Sequence, residues 1–178
     1  MIMENLTLVI PQSPEDWSFM EKVYISRFPV DERRKFEDVK KLYKEDPYFS
    51  PHLIQRGEKN VGLIFLWKLE NIIYIEHFAV AEEYAMQGIG GKTLQEVVHS
   101  TSLPLCLEAE CPDTPIAIRR INFYKRNGFE VLKGDYMQPA YDADTQPVPL
   151  KILFHPNGNP LQSVEEIKKK LYEKVYHL

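Results

Sequence analysis

Cysteine is nearly missing from this 178-residue chain, which holds only Cys106 and Cys111. Two thiols cannot build a disulfide framework, and these two lack the spacing of a metal-binding set. The expected setting is therefore the reduced cytoplasm, the expected metal content is none, and the thiols read as small buried residues. No apolar run approaches the roughly 20 residues that span a bilayer, which argues against a membrane partner. The opening residues MIMENLTLVIP carry no basic stretch, which argues against a secretory signal. Positive charge is not in excess either: 22 Lys and Arg against 26 Asp and Glu give a formal charge of −4, which argues against nucleic acid as the main partner. Repeats, low-complexity segments and linkers are absent. Residues 1–178 thus read as a single domain, long enough for a full core.

What the chain does have is concentrated between Ile72 and Leu94. IIYIEHFAV is almost unbroken apolar, with one acid, Glu76, in its middle; it suits a strand buried on both faces. AEEYAMQGIGGKTL follows, with Gly88, Gly90 and Gly91 in four positions, and then Leu94, Val97 and Val98 at helical spacing. Strand, glycine turn and helix start together make a cradle for phosphate oxygens, because glycines let backbone N–H groups come close and the helix dipole favours an anion. Three phosphate ligands compete. Gly91-Lys92-Thr93 ends like a P-loop, but the first glycine of that motif would fall on Met86. A dinucleotide fingerprint fits Gly88 and Gly90, but its third glycine would be Thr93, and the strands upstream read as antiparallel.

Around this unit the chain divides readily. Leu6 to Ile10 alternates as a short strand. Ser13-Pro14-Glu15-Asp16 opens a helix with Trp17, Met20, Val23 and Tyr24 on its apolar face, ending near Phe28-Pro29. Asp31 to Lys44 reads as a second helix. His52 to Gln55, Val61 to Lys68 and Ile72 to Val80 read as strands joined by short polar turns, hence antiparallel neighbours. Leu103 to Glu110 follows the glycine-turn helix and should lie parallel to the strand before it. Thr114-Pro115 starts a helix with Ala117, Ile121 and Tyr124 on one face, and Asn127-Gly128 ends it. Phe129 to Leu132 and Leu150 to His155 are strands, separated by a loop over residues 134–149. Ser163 to Glu166 caps a terminal helix whose buried face holds Ile167, Leu171 and Val175.

IEHFAVAEEYAMQGIGGKTL, a strand, and then INFYKRNGFE together resemble the GNAT superfamily of acetyl-CoA-dependent N-acetyltransferases. That family's pyrophosphate loop, [RQ]-x-x-G-x-[GA], matches Gly88-Ile89-Gly90 after the pair Ala79-Val80; its distal element matches Tyr124 with Gly128-Phe129. The element order matches across nearly the whole chain. The resemblance implies an α/β (α+β) fold, a mixed central sheet of about seven strands flanked by helices, with an extra C-terminal helix. It departs at Ala85, where the motif has Arg or Gln; Gln87 lies two positions later.

The resemblance implies acetyl-CoA as co-substrate and an amine acceptor, small molecule or peptide, that attacks directly in a ternary complex. A homodimer is left open. A non-catalytic acyl-CoA-binding or sensor protein on the same scaffold is the alternative, and Ala85 is the feature that favours it. The cofactor would lie on Phe78, Ala79 and Val80 along the strand, and on Met86, Gln87, Gly88, Ile89, Gly90, Gly91 and Lys92 in the turn. Tyr124 stands where the family's usual general acid protonates the leaving thiolate; as a plain alternative it is a core residue of an amphipathic helix. Glu76 is the candidate base, since burial raises a carboxyl pKa; the alternative is a buried carboxylate with a structural hydrogen bond. Alternation puts Glu76 with Tyr74, Phe78 and Val80, and His77 on the opposite face, in a structural role with a histidine base as the alternative. Glu108 and Glu110 rank below Glu76. Glu32 and Arg33 in the RFPVDERR bend, with Tyr136 and Tyr141 in the late loop, are expected to wall the acceptor site.

Overall fold

The computed structural model describes residues 5–178. Strand β1 (Leu6–Val9) leads into helix α1 (Pro14–Arg27). The Ser13 hydroxyl accepts from the Asp16 N–H at 3.1 Å, and the Asp16 carboxylate accepts from the Gln12 and Ser13 N–H groups, so the first-turn donors are satisfied locally. Phe28, extended ahead of Pro29, ends the helix.

The second helix is shorter than its sequence pattern predicts. A single 3-10 turn spans Val30–Glu32, and α2 begins only at Phe36, running to Glu45. Tertiary bonds override the local preference between them. The Arg34 N–H donates to the Tyr24 hydroxyl at 2.7 Å, and its guanidinium reaches into the core, so this segment runs extended.

Strands β2 (Phe49–Arg56), β3 (Lys59–Lys68) and β4 (Ile73–Val80) form an antiparallel meander. Helix α3 (Ile89–His99) crosses over to β5 (Leu105–Glu110), which lies parallel to β4. Helix α4 (Pro115–Arg126) buries Ala117, Ile121 and Tyr124, as its spacing predicts, beneath a Thr114 cap. Strands β6 (Glu130–Val131), β7 (Tyr136–Gln138) and β8 (Val148–His155) finish the sheet, and α5 (Val164–Lys174) closes the chain. The sheet has eight strands in the order β1-β2-β3-β4-β5-β8-β6, with β7 on the other half of β8. The eighth strand is β7, a three-residue piece inside the expected loop, held there by its pairing to Leu150, Pro149 and Val148.

Helices α1, α2 and α5 pack on one face of the sheet, around Tyr24, Phe65, Trp67 and Leu171. Helices α3 and α4 pack on the other, around Leu94, Val97, Ile121 and Tyr124. Two departures from regular pairing shape the centre. β4 and β5 pair only from Ile73 to Ile75, against Leu105 to Leu107, and both strands continue past the last pair without each other. At the next residue of β4, in its ladder with β3, Leu66 pairs with Ile75 and Phe65 with His77, leaving Glu76 as an extra, bulged residue.

Candidate active site

The parting of β4 from β5 opens a cleft of about 410 Å³. Phe78, Ala79 and Val80 line one wall from β4, Leu107 to Glu110 line the other from β5, and Gly90 and Tyr124 reach in from α3 and α4. Glu32 of the 3-10 turn and Met86 of the glycine turn stand at its edges. Of the expected acceptor residues, Glu32 lines the cleft, whereas Arg33, Tyr136 and Tyr141 do not; Tyr136 is drawn back against Tyr172 of α5, and Tyr141 onto Glu76, Arg34 and Tyr176. Gln138 and Leu150 take their place on the wall.

On the α3 side, the turn after β4 presents backbone. Met86 (φ 64°) and Gly88 (φ 75°) are both left-handed, and Met86 is fully exposed. Gly88 caps α3 without a side-chain bond, so the first helical N–H groups face outward with the positive end of the dipole behind them. Gly90 must stay small: a Cβ there would lie 3.1 Å from Cζ of Phe123 and 3.7 Å from Cζ of Phe78. The Gln87 amide oxygen accepts from Arg56 Nη1 at 2.6 Å, and the Arg56 guanidinium lies 5.4 Å from the Tyr84 ring centre. Ala85 lines the cleft without a polar group. Tyr124 sits edge-on to Phe123 and Phe129; burial raises its phenol pKa to about 12, so it enters the cleft as a neutral O–H.

Four carboxylates define the other side, and their environments differ. Glu76 is the most thoroughly paired. Its side chain is 0% exposed and accepts from Arg34 Nη2 at 2.8 Å, Tyr141 at 2.9 Å and the Trp67 indole N–H at 3.1 Å. Burial by itself would raise its pKa, as the sequence suggests, but the Arg34 charge and these donors outweigh it and hold the carboxyl below its ordinary range. Glu76 keeps the face of Tyr74, as alternation predicts, but the bulge brings His77 onto that same α1–α2 side and turns Phe78 and Val80 toward α3. With its side chain enclosed, Glu76 meets the cleft through its backbone. His77 is buried edge-on against Tyr24 and Phe28, with Nε2 2.8 Å from the Glu32 carbonyl oxygen; burial lowers its pKa and keeps it neutral.

Glu108 is the opposite case. Oε1 accepts from the hydroxyls of Tyr74 and of Tyr176, the latter at 2.7 Å, while Oε2 is buried with no partner among the described residues. No cation among the described residues pairs with it. Burial, reinforced by the Glu76 charge, pushes its pKa up to about 7 against the pull of the Tyr74, Tyr176 and Tyr136 hydroxyls. Glu110 pairs with Arg120 at 2.6 Å, and Glu32 has its pKa raised by burial and by the Glu110 charge. Sequence reasoning missed Arg34 and Tyr176: the first sits in a charged bend that looks solvated, the second beyond the last strand.

Residues 49–131 match the family model described as acetyltransferase (GNAT) domain. Among solved structures, a protein described as a GNAT-family acetyltransferase from Bacteroides thetaiotaomicron shares 29% identity over 98% of this chain and 99% of its own, with a TM-score of 0.88. That likeness takes in the terminal helix. The spermidine N-acetyltransferase of Vibrio cholerae, solved with CoA and spermine, shares the fold at 15% identity (TM-score 0.60, 84% of this chain and 94% of its own). So does Arabidopsis thaliana Naa50, solved with a bisubstrate analogue, at 18% (TM-score 0.61, 84% and 97%). Among curated proteins, none matches. No helix among the described residues is long and apolar enough to cross a membrane.

Proposed function

We propose, from the match of residues 49–131 to the GNAT acetyltransferase domain and the fold shared with a GNAT-family acetyltransferase, that the protein moves an acetyl group from acetyl-CoA to a primary amine by direct attack in a ternary complex. The observation that carries this reading is the cleft itself: outward helix N–H groups and a neutral tyrosine on one side of the split sheet, and on the other a carboxyl of raised pKa held by hydroxyls alone. The pyrophosphate lies on the turn from Met86 to Lys92, and the pantetheine arm runs along Phe78, Ala79 and Val80. Glu108 Oε2 takes a proton from the amine, the nitrogen attacks the thioester carbon, and the C–S bond breaks as the Tyr124 O–H protonates the departing sulfur. Glu76, held ionised by Arg34, orders the bulge in this account and does not accept the proton. Glu32 and Glu110 at the cleft suit an acceptor of positive charge.

A panel of spermidine, a lysine peptide and an N-terminal alanine peptide, with thiol release as the readout, tests the reaction; no thiol release with any amine would sink it. Acetyl-CoA at about 100-fold over Kd should add roughly 2.7 kcal/mol to stability, or about 5–11 °C in Tm for a chain this size. Thiol release separates an enzyme from a sensor that only binds, the reading Ala85 favours.

Gly90→Val places two methyl groups against Phe123 and Phe78, where even one Cβ is crowded. The expected result is loss of the acetyl-CoA thermal shift with the unliganded fold retained. Tyr124→Phe is expected to lower kcat about a hundredfold with an unchanged acetyl-CoA shift; a variant with full turnover removes Tyr124 from proton donation.

A further inference from the structure

The C-terminal helix looks like an appendage in the sequence, yet the segment that ends it enters the cleft's chemistry. Val175 is fully buried, and its carbonyl accepts from Arg34 Nη2 at 3.4 Å. The next residue, Tyr176, lies 5.5 Å from the Tyr141 ring, centre to centre, and donates its hydroxyl to Glu108 Oε1. One oxygen of Glu108 is thereby held from β4 by Tyr74 and from the C-terminus by Tyr176, while the other meets no partner at full hydrogen-bond geometry among the described residues, with the Tyr136 hydroxyl beside the carboxyl. A carboxylate with both donors on one oxygen cannot rotate without losing them.

We propose that Tyr176 is a positioning residue for Glu108: the C-terminal extension clamps Oε1 so that Oε2 is the atom offered to the acceptor amine. The proposal rests on the reading of Glu108 as base. It makes the terminal helix part of the catalytic unit. The groups that face Glu108 are Tyr74 and Glu76 from β4, Tyr136 from β7, Tyr141 from the following loop, and Tyr176. Glu76 raises its pKa by charge; Tyr74 and Tyr176, and least of the three Tyr136, lower it by hydrogen bonding to the ionised form. Removing the Tyr176 hydroxyl therefore favours the protonated acid.

Tyr176→Phe removes one oxygen from a half-buried ring and leaves its packing intact. Two readouts test the proposal. The carboxyl midpoint of Glu108 in the full-length, unliganded protein, followed by 13C NMR and assigned by its loss in Glu108→Gln, is expected to move up by about half a pH unit or more. The acid limb of kcat/KM, taken with the fastest amine of the panel, is expected to move with it, and KM for acetyl-CoA is expected to stay. An unmoved carboxyl midpoint overturns the proposal. A midpoint that moves while the kinetic limb stays also overturns it, and Glu108→Gln then shows where the fault lies: full turnover in that variant means the base reading itself has failed.

Discussion

Glu108→Gln is expected to lower amine-dependent thiol release about 10³-fold and, at the same time, to raise the melting temperature at pH 8. Both effects come from one cause. Glu108 is buried with no cation paired to it among the described residues, and burial lifts its pKa from the ordinary carboxyl range to about 7. A group whose folded pKa is raised contributes stability fully present below its unfolded pKa, here near 4.5, and loses it as pH climbs through about 7. Above that point the folded protein bears the cost of a buried carboxylate. Glutamine keeps an acceptor oxygen for Tyr74 and Tyr176 but carries no charge, so the cost disappears. The Tm gap between variant and wild type should be small at pH 5 and widen by pH 8. Calorimetry at the two pH values checks it. A variant that is inactive but less stable at pH 8 would mean that the carboxylate is held by a partner other than these two hydroxyls.

The trade-off is the expected signature of a functional group, since a site poised near neutrality is one the fold would be more stable without. The sequence alone ranks Glu76 above Glu108, and the proposed reaction reverses that order. Both lie on apolar strands, and burial argues the same way for each. The difference is made by Arg34, brought from forty-two positions upstream to Glu76. Nothing in the local pattern of DERRK separates that arginine from solvated neighbours. The period-two reading of β4 failed at Glu76 for a similar reason: a bulge inserts one residue, and every face assignment beyond it inverts. Where the physics is local, reading was easy. Ser13 with Asp16, Thr114 with Pro115, and Ala117, Ile121 and Tyr124 behave as their spacing predicts. The strand Tyr136–Gln138 was hidden because three residues carry no periodicity; only β8 makes them a strand.

Arg34→Met is the sharper test of that division of labour, because it should turn Glu76 from a stabilising group into a destabilising one. In the wild type, the guanidinium is only 14% exposed and meets a carboxylate whose side chain is 0% exposed, with Trp67 and Tyr141 completing the shell. Removing one partner of a buried pair leaves an uncompensated charge and costs about 3–5 kcal/mol, which for a chain this size is a fall in Tm of roughly 6–20 °C. The pH dependence supplies the sign. Glu76 has a folded pKa below its unfolded value, so its contribution is present above about pH 4.5 and is lost as pH falls through the folded pKa. Without Arg34 the largest downward influence is gone and burial, which raises the pKa, prevails. The variant's carboxyl then protonates more readily when folded than when unfolded, and acid relieves it. The Tm difference between wild type and variant should be largest near pH 7 and shrink toward pH 4. Arg34→Met combined with Glu76→Met should recover much of the loss at pH 7, since two apolar side chains of similar length replace the pair and strand no charge. A double variant no more stable than Arg34→Met would place the cost in the lost packing of Arg34 on Tyr141, 4.7 Å from the ring centre, and not in the stranded carboxylate.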